Sequence, residues 1–304
     1  MTRRHDIYAA VTAQIAAAIE AGAGQWRMPW HHSGAPVMRP TSAAGRRYSG
    51  INRLVLWASA EACGYSSGVW ATYNQWKDSG AQVRKGEAGT HVELWKKIDR
   101  ADEAGASDGG GASDGDERRA RFYARSFVVF NRAQVDGAPD ETAIEERPME
   151  DRIAGALGFF AGLGIPIEYG LHDAYYRPDL DEIFMPERQA FESDLGLVST
   201  LAHEITHATG AAHRLDRETL RDYHKGLAIR AREELVADIG SAFLLADLGL
   251  AHTPRPDHAA YVASWLRALR DDPRAIFTAA AKAQAASDWM HAQQPAAAPL
   301  PLAA

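Results

Sequence analysis

The sequence predicts an α+β protein of two domains, an N-terminal α+β domain and a C-terminal, mainly helical domain with a small sheet. Three observations predict it. At 304 residues the chain is long enough for two cores of ordinary size. Its charge is divided: residues 1–100 hold 13 Lys and Arg against 7 Asp and Glu, whereas residues 137–304 hold 15 against 26. The apolar spacing also changes, from mixed helical and alternating patterns in the first half to long helical patterns in the second.

Taken in order, Ile7, Val11, Ile15 and Ile19 fall at helical spacing, and Gly22 ends that helix. An aromatic, proline-bearing loop, Trp26-Arg-Met-Pro-Trp30, follows. A second helix is expected from Asn52 to Ala62, with Gly64 as its stop. His91–Ile98 alternates as a strand does, and Arg121–Phe130 reads as its partner. Between them Gly105-Ala-Ser-Asp-Gly109 recurs as Gly111-Ala-Ser-Asp-Gly115, a small acidic tract that can bury nothing. Residues 101–118 are therefore expected to be a disordered insertion within a domain spanning 1–136. Residues 137–150, acidic and carrying Pro139 and Pro148, read as a linker. The second domain, 151–292, is expected to run helix (150–163), strand (165–169), short strand (182–185), then helices at 194–209, 229–248, 257–270 and 274–291. The Pro/Ala-rich residues 293–304 read as a disordered tail.

The chemistry concentrates in His203-Glu204-Ile205-Thr206-His207, an HExxH motif inside a helical pattern. Residues four apart share a helix face, so His203 and His207 can reach one metal ion. Glu204 then faces the open side, where a carboxylate can take a proton from water during attack on a carbonyl, the water being acidified by zinc. The third ligand has two candidates. His213 completes HExxHxxGxxH, a pattern that also needs a downstream methionine turn. The only downstream methionine is Met290, inside a predicted helix. The other candidate is Glu234 in Glu233-Glu-Leu-Val-Ala-Asp238, with Asp238 one turn on as a carboxylate for the free N–H of a ligand histidine. Adjacent on one helix, Glu233 and Glu234 are not both expected to face the site. The expected ion is one Zn2+ per chain, with another divalent metal such as Mn2+ as the alternative. Residues 181–186 read as an edge strand, stopped by Pro186, of the kind that receives an extended peptide. Tyr175 and Tyr176 either point into that cleft or pack the strand.

Six of the eight tryptophans lie in the first 95 residues, interleaved with Lys and Arg. Aromatic faces stack on unpaired bases while cations follow phosphates, so this part is a candidate single-stranded-DNA binder. The candidate contacts are Trp26, Arg27, Trp30, Arg46, Arg47, Trp70, Trp76, Arg84 and Lys85, with Arg53 among the same interleaved cations.

Nearly the whole chain resembles the ArdC-type antirestriction family. The resemblance rests on Gly24-Gln-Trp-Arg-Met-Pro-Trp30, Tyr48-Ser-Gly-Ile-Asn52, Trp70-Ala-Thr-Tyr-Asn-Gln75, Val83-Arg-Lys-Gly-Glu87 and Val129-Phe-Asn131. It continues through Thr200 to Gly210, Arg214-Leu-Asp-Arg217, Glu233 to Gly240 and Tyr261 to Trp289. It implies an N-terminal single-stranded-DNA-binding domain, a C-terminal zincin-like metallopeptidase domain and protection of incoming mobile-element DNA from restriction. The chain departs from the family in having Asp238 where Glu is common, and Arg230-Ala-Arg232 where an aromatic often precedes the Glu-Glu pair. Two other functions remain open at this point: a protease that removes proteins from DNA, and a non-catalytic DNA binder with a structural metal. Single-stranded DNA, and in the first two cases a protein substrate, are the expected partners. Cys63 is the only cysteine, which points to a reducing compartment. The N-terminus lacks the apolar run of a signal peptide, and Ile153–Ile167 is interrupted by four glycines and a proline. A cytoplasmic protein with no membrane partner is expected.

Overall fold

The computed structural model describes residues 7–22, 39–97, 122–139, 147–251 and 259–295. The N-terminal part comprises α1 (Ile7–Gly22), β1 (Thr41–Ser42), α2 (Ile51–Cys63), β2 (Val69–Thr72), α3 (Tyr73–Asp78), β3 (Gln82–Val83), β4 (Thr90–Lys97), β5 (Phe122–Asn131) and β6 (Val135–Asp136). α2 stops where Gly64 takes the left-handed conformation that a side chain disfavours. α3 starts on a capping box in which Thr72 and Gln75 satisfy each other's backbone. A four-stranded sheet runs β1-β2-β5-β4, and β4 pairs antiparallel with β5 from Thr90↔Val129 to Lys97↔Phe122. The strand pair is the one predicted; β1, β2, α3, β3 and β6 were too short to stand out by periodicity. The expected insertion, most of the linker (140–146) and the tail beyond 295 lie outside the described residues.

The C-terminal part comprises α4 (Met149–Ala161), β7 (Ile167–Leu171), β8 (Tyr175–Arg177), β9 (Glu182–Pro186), α5 (Asp194–Ala208), α6 (Glu218–Arg221), α7 (Leu227–Asp247), α8 (Ala259–Asp271) and α9 (Ala275–Ala292). One expectation is corrected here. β9 is the middle strand of its sheet, parallel to β7 and antiparallel to β8, so it is not an edge. Its Ile183, Phe184 and Met185 are all buried, the mark of a strand covered on both faces. β8 is the edge on the side of α5.

Each part has buried clusters of its own, and a further cluster joins the two. Ile15 and Ile19 of α1 and Leu54 and Trp57 of α2 pack in one cluster with Leu235 and Phe243 of α7, Trp265 of α8 and Ile276 of α9. Arg53 lies at the centre of this joint, fully buried, 4.7 Å from the Trp57 ring and 4.6 Å from the Phe243 ring. It donates to the Phe243 carbonyl at 2.7 Å and to Asp247 at 2.8 Å. Asp247 also pairs with Arg39 at 2.8 Å and His291 at 3.3 Å. A buried guanidinium needs such pairing. Arg53 and Trp57 are thus structural, and the Arg53 charge is spent inside the fold.

Candidate metal centre

α5 carries the motif, and its sequence explains its placement. Ser193 caps it by accepting from the Gly196 amide at 3.1 Å, and from Leu197 to Ala208 every residue except the partly exposed Thr200 is buried. α7 crosses it closely because Gly240 lacks a side chain: a Cβ there would meet the Thr206 methyl at 2.6 Å. This approach brings Glu234 of α7 to the two histidines.

His203 Nε2 and His207 Nε2 lie 3.1 Å apart, His203 Nε2 is 3.3 Å from Glu234 Oε2, and His207 Nε2 is 3.7 Å from Glu234 Oε1. Donor atoms about 2.0–2.1 Å from a tetrahedral zinc sit about 3.3–3.4 Å from one another, so the spacing fits. Among the described residues this is the one cluster of three such side chains whose donors all lie within 4.8 Å. Its electrostatics fit too. Burial alone would depress His207, yet Glu234 and Glu233 carry it up to about 10. Burial would raise Glu234, yet the two imidazoles hold it well below the usual carboxylate range. A pocket that so favours added positive charge suits a divalent cation.

The other ring nitrogen of His207 is held from α7 as well. Nδ1 lies 3.1 Å from Glu233 Oε1. Glu233 is fully buried, and although burial would raise its carboxyl, Arg217 and His207 lower it to about 2. An ionised carboxylate only accepts, so Nδ1 carries the hydrogen and Nε2 is left to face the cluster. Both adjacent glutamates therefore reach the motif, Glu234 at one edge of the His207 ring and Glu233 at the other. That corrects the expectation that only one could. Glu233 is the carboxylate at His207 Nδ1, and Asp238 is fully buried one turn further along α7.

Arg217 donates to Glu233 at 2.6 Å, to the Thr206 carbonyl at 2.6 Å and to Thr209 at 2.6 Å. Thr219 donates to the second Glu233 oxygen at 2.5 Å. The Tyr223 hydroxyl donates to Glu234 Oε1, and Arg230 lies 5.0 Å over the Tyr223 ring. Sequence reasoning assigned Arg217, Thr219 and Tyr223 no role. The available signal was a buried Glu-Glu pair, which requires a buried cation nearby. His213 does not join the cluster: its side chain is 61% exposed and pairs with Asp181 at 3.3 Å.

A cleft of about 220 Å³ opens onto the donors, lined by Tyr175, Tyr176, Glu204, Leu220 and Tyr223 together with His203, His207 and Glu234. That volume holds several waters at about 30 Å³ each. Tyr175 is 38% exposed and stacks on Phe184 at 5.1 Å, while Tyr176 is buried and donates to Asp181 at 2.8 Å.

The described candidate DNA contacts divide between buried and exposed side chains. Trp70 and Trp76 are 1% and 2% exposed, and Trp76 Nε1 donates to the Phe130 carbonyl at 3.0 Å. They are core residues and present no face to a base. Arg46, Arg47, Arg84 and Lys85 are exposed, although Arg84 pairs with Glu87 at 2.8 Å and Asp136 at 3.5 Å. Trp26, Arg27 and Trp30 lie outside the described residues.

Comparison with known proteins matches residues 5–130 to the N-terminal domain of anti-restriction factor ArdC and residues 155–282 to the zincin-like metallopeptidase family. The crystal structures of the antirestriction protein ArdC from plasmid R388, metal-free and Mn(II)-bound, superpose with TM-scores of 0.74 and 0.75 at 39% identity, covering 95% of this chain and 97% and 98% of theirs. The uncharacterized protein y4eC of Sinorhizobium fredii is 50% identical over 95% of this chain and 92% of its own length. A DNA primase TraC of Escherichia coli is 37% identical over 90% of this chain, which spans only 26% of that protein.

Proposed function

The chain belongs to the ArdC antirestriction family, and on that premise we propose that it is a single-stranded-DNA-binding antirestriction protein with a metallopeptidase-like centre for one divalent ion. In this reading it shields incoming mobile-element DNA inside the cytoplasm; no described helix is long and apolar enough to cross a membrane. The observation that carries the reading is the convergence of His203, His207 and Glu234 within 4.8 Å on two helices of a zincin-like domain. These three residues hold the ion, Zn2+ by donor chemistry or Mn2+ as in the R388 relative. When bound, such an ion polarises a carbonyl and lowers the pKa of water toward about 7.

The chain's own residues supply the rest. Glu204, lining the cleft beside the donors, accepts a proton from the attacking water and returns it to the leaving nitrogen. Tyr223 fixes the Glu234 carboxylate, and Glu233 and Asp238 are the buried carboxylates behind the ligands. The β8 edge, with Tyr175 at the cleft mouth, receives an extended peptide. On the N-terminal part Arg46, Arg47 and Lys85 follow the phosphates. Casein or a DNA-bound protein, offered to the full chain with and without a chelator, tests the hydrolytic half. Metal-dependent cleavage supports it, and uptake of metal without cleavage reduces the centre to a structural role.

A further inference from the structure

We propose that Arg217 and Glu233 form a positioning relay that fixes the ring of His207 and thereby sets the affinity of the metal centre, an inference that rests on the metal-centre reading above. Every bond needed is in place. Glu233 Oε1 accepts from His207 Nδ1 at 3.1 Å and from Arg217 Nη2 at 2.6 Å, and Oε2 accepts from Thr219 at 2.5 Å. Both oxygens are occupied, so Glu233 orients the ligand instead of competing with Glu234 to be one.

The other end of the relay is anchored to the motif's own helix. Arg217 is 4% exposed and donates to the carbonyls of Thr206 at 2.6 Å and His207 at 3.2 Å at the end of α5, where the Thr209 hydroxyl and the Gly210 amide also reach these carbonyls. One guanidinium thus fixes the backbone of His207 directly and its ring through Glu233. Its fork geometry serves both tasks at once, which a lysine cannot do. The chain leaves room for it at Gly210, where a Cβ would lie 2.7 Å from the Arg217 guanidinium. Gly210 has no left-handed backbone of its own to explain it, so the space for Arg217 is what the glycine provides.

Carboxylate partners of metal-bound histidines typically contribute about 10- to 100-fold in affinity. Zinc affinity is measured on the full chain by competition with a chromophoric chelator, for wild type, Glu233→Gln and Gly210→Ala. The second variant moves the guanidinium without touching Glu233 or His207. Both should bind zinc about 10- to 100-fold more weakly while melting cooperatively, and the His207 Nδ1–H resonance of the zinc-loaded chain should move upfield. Affinities of the folded variants within threefold of wild type, even with lowered melting temperatures, would show a merely structural salt bridge and overturn the relay. A wild-type chain that takes up no zinc or manganese overturns the metal-centre reading and the relay with it; equal binding by wild type and variants overturns the relay alone.

Discussion

Replacing Gly240 by alanine tests how the helix crossing positions the centre. The new Cβ meets the Thr206 methyl at 2.6 Å, where ordinary contact begins at 3.4 Å, so α5 and α7 must part by about 0.8 Å. Overpacking of this kind costs about 1–3 kcal/mol. Alanine recovers about 1 kcal/mol of helix propensity, leaving a net loss of about 0–2 kcal/mol. Thr206→Ser removes the clashing methyl but keeps the hydroxyl that donates to the Ala202 carbonyl at 2.7 Å. The double variant should therefore recover the loss. A double-mutant cycle by urea denaturation should give a coupling of about 1–3 kcal/mol, equal to the overpacking removed. The same parting separates His203 from Glu234, now 3.3 Å apart, by more than the roughly 0.2 Å a metal site tolerates. Metal affinity should fall in Gly240→Ala and return in the pair. Additive effects within about 0.5 kcal/mol would show that the crossing is not tight at this point and refute the reasoning.

Three further outcomes are expected. Asp247→Asn should destabilise the chain by about 3–5 kcal/mol, because it strands the buried Arg53 charge at the joint between the two parts. Burial would raise the Asp247 carboxyl, but His291, Arg53 and Arg39 hold it below the usual range. Its contribution is therefore complete above about pH 4 and lost as pH falls through the lower folded value, so wild type should lose more melting temperature than Asp247→Asn on acidification below pH 4. Replacing Arg46 and Arg47 by alanine in the full chain should weaken single-stranded-DNA binding and lower the salt slope by about 1.4, at roughly 0.7 per phosphate contact; an unchanged slope in a salt titration would remove this surface from the interface. Glu204→Gln should retain metal and DNA binding while any chelator-sensitive peptide hydrolysis falls about 100-fold or more, and undiminished cleavage would exclude Glu204 as the base.

Much of the C-terminal half was legible because its helices are long and strongly periodic. Spacing singled out His203, Glu204 and His207, since four-residue separations put side chains on one helix face, but it left Glu234 and His213 as alternatives for the third donor. The fold brings Glu234 to the two histidines and leaves His213 exposed. What spacing could not supply was the cross-chain geometry. Arg217 reaches Glu233 only because a loop folds back under Gly210, and no local pattern records that. The adjacent glutamates were treated as mutually exclusive because a helix separates them by about 100°; a planar imidazole, however, presents two edges, and each glutamate takes one. The tryptophans of the first half were ambiguous for another reason. Trp70 and Trp76 are buried by short strands and a six-residue helix, elements below the length at which periodicity identifies a core. The short segment stopped by Pro186 located a strand but not its neighbours, so an inner strand read as an edge.

Metal stoichiometry by elemental analysis of the full chain tests the central claim most directly. The account predicts about one divalent ion per wild-type chain, of Zn2+ or Mn2+, because the three converging donors make a single site. His203→Ala, His207→Ala and Glu234→Ala should each abolish binding at micromolar metal, whereas His213→Ala should retain it in full. Full occupancy in any of the first three variants, or loss in the fourth, would contradict the assignment.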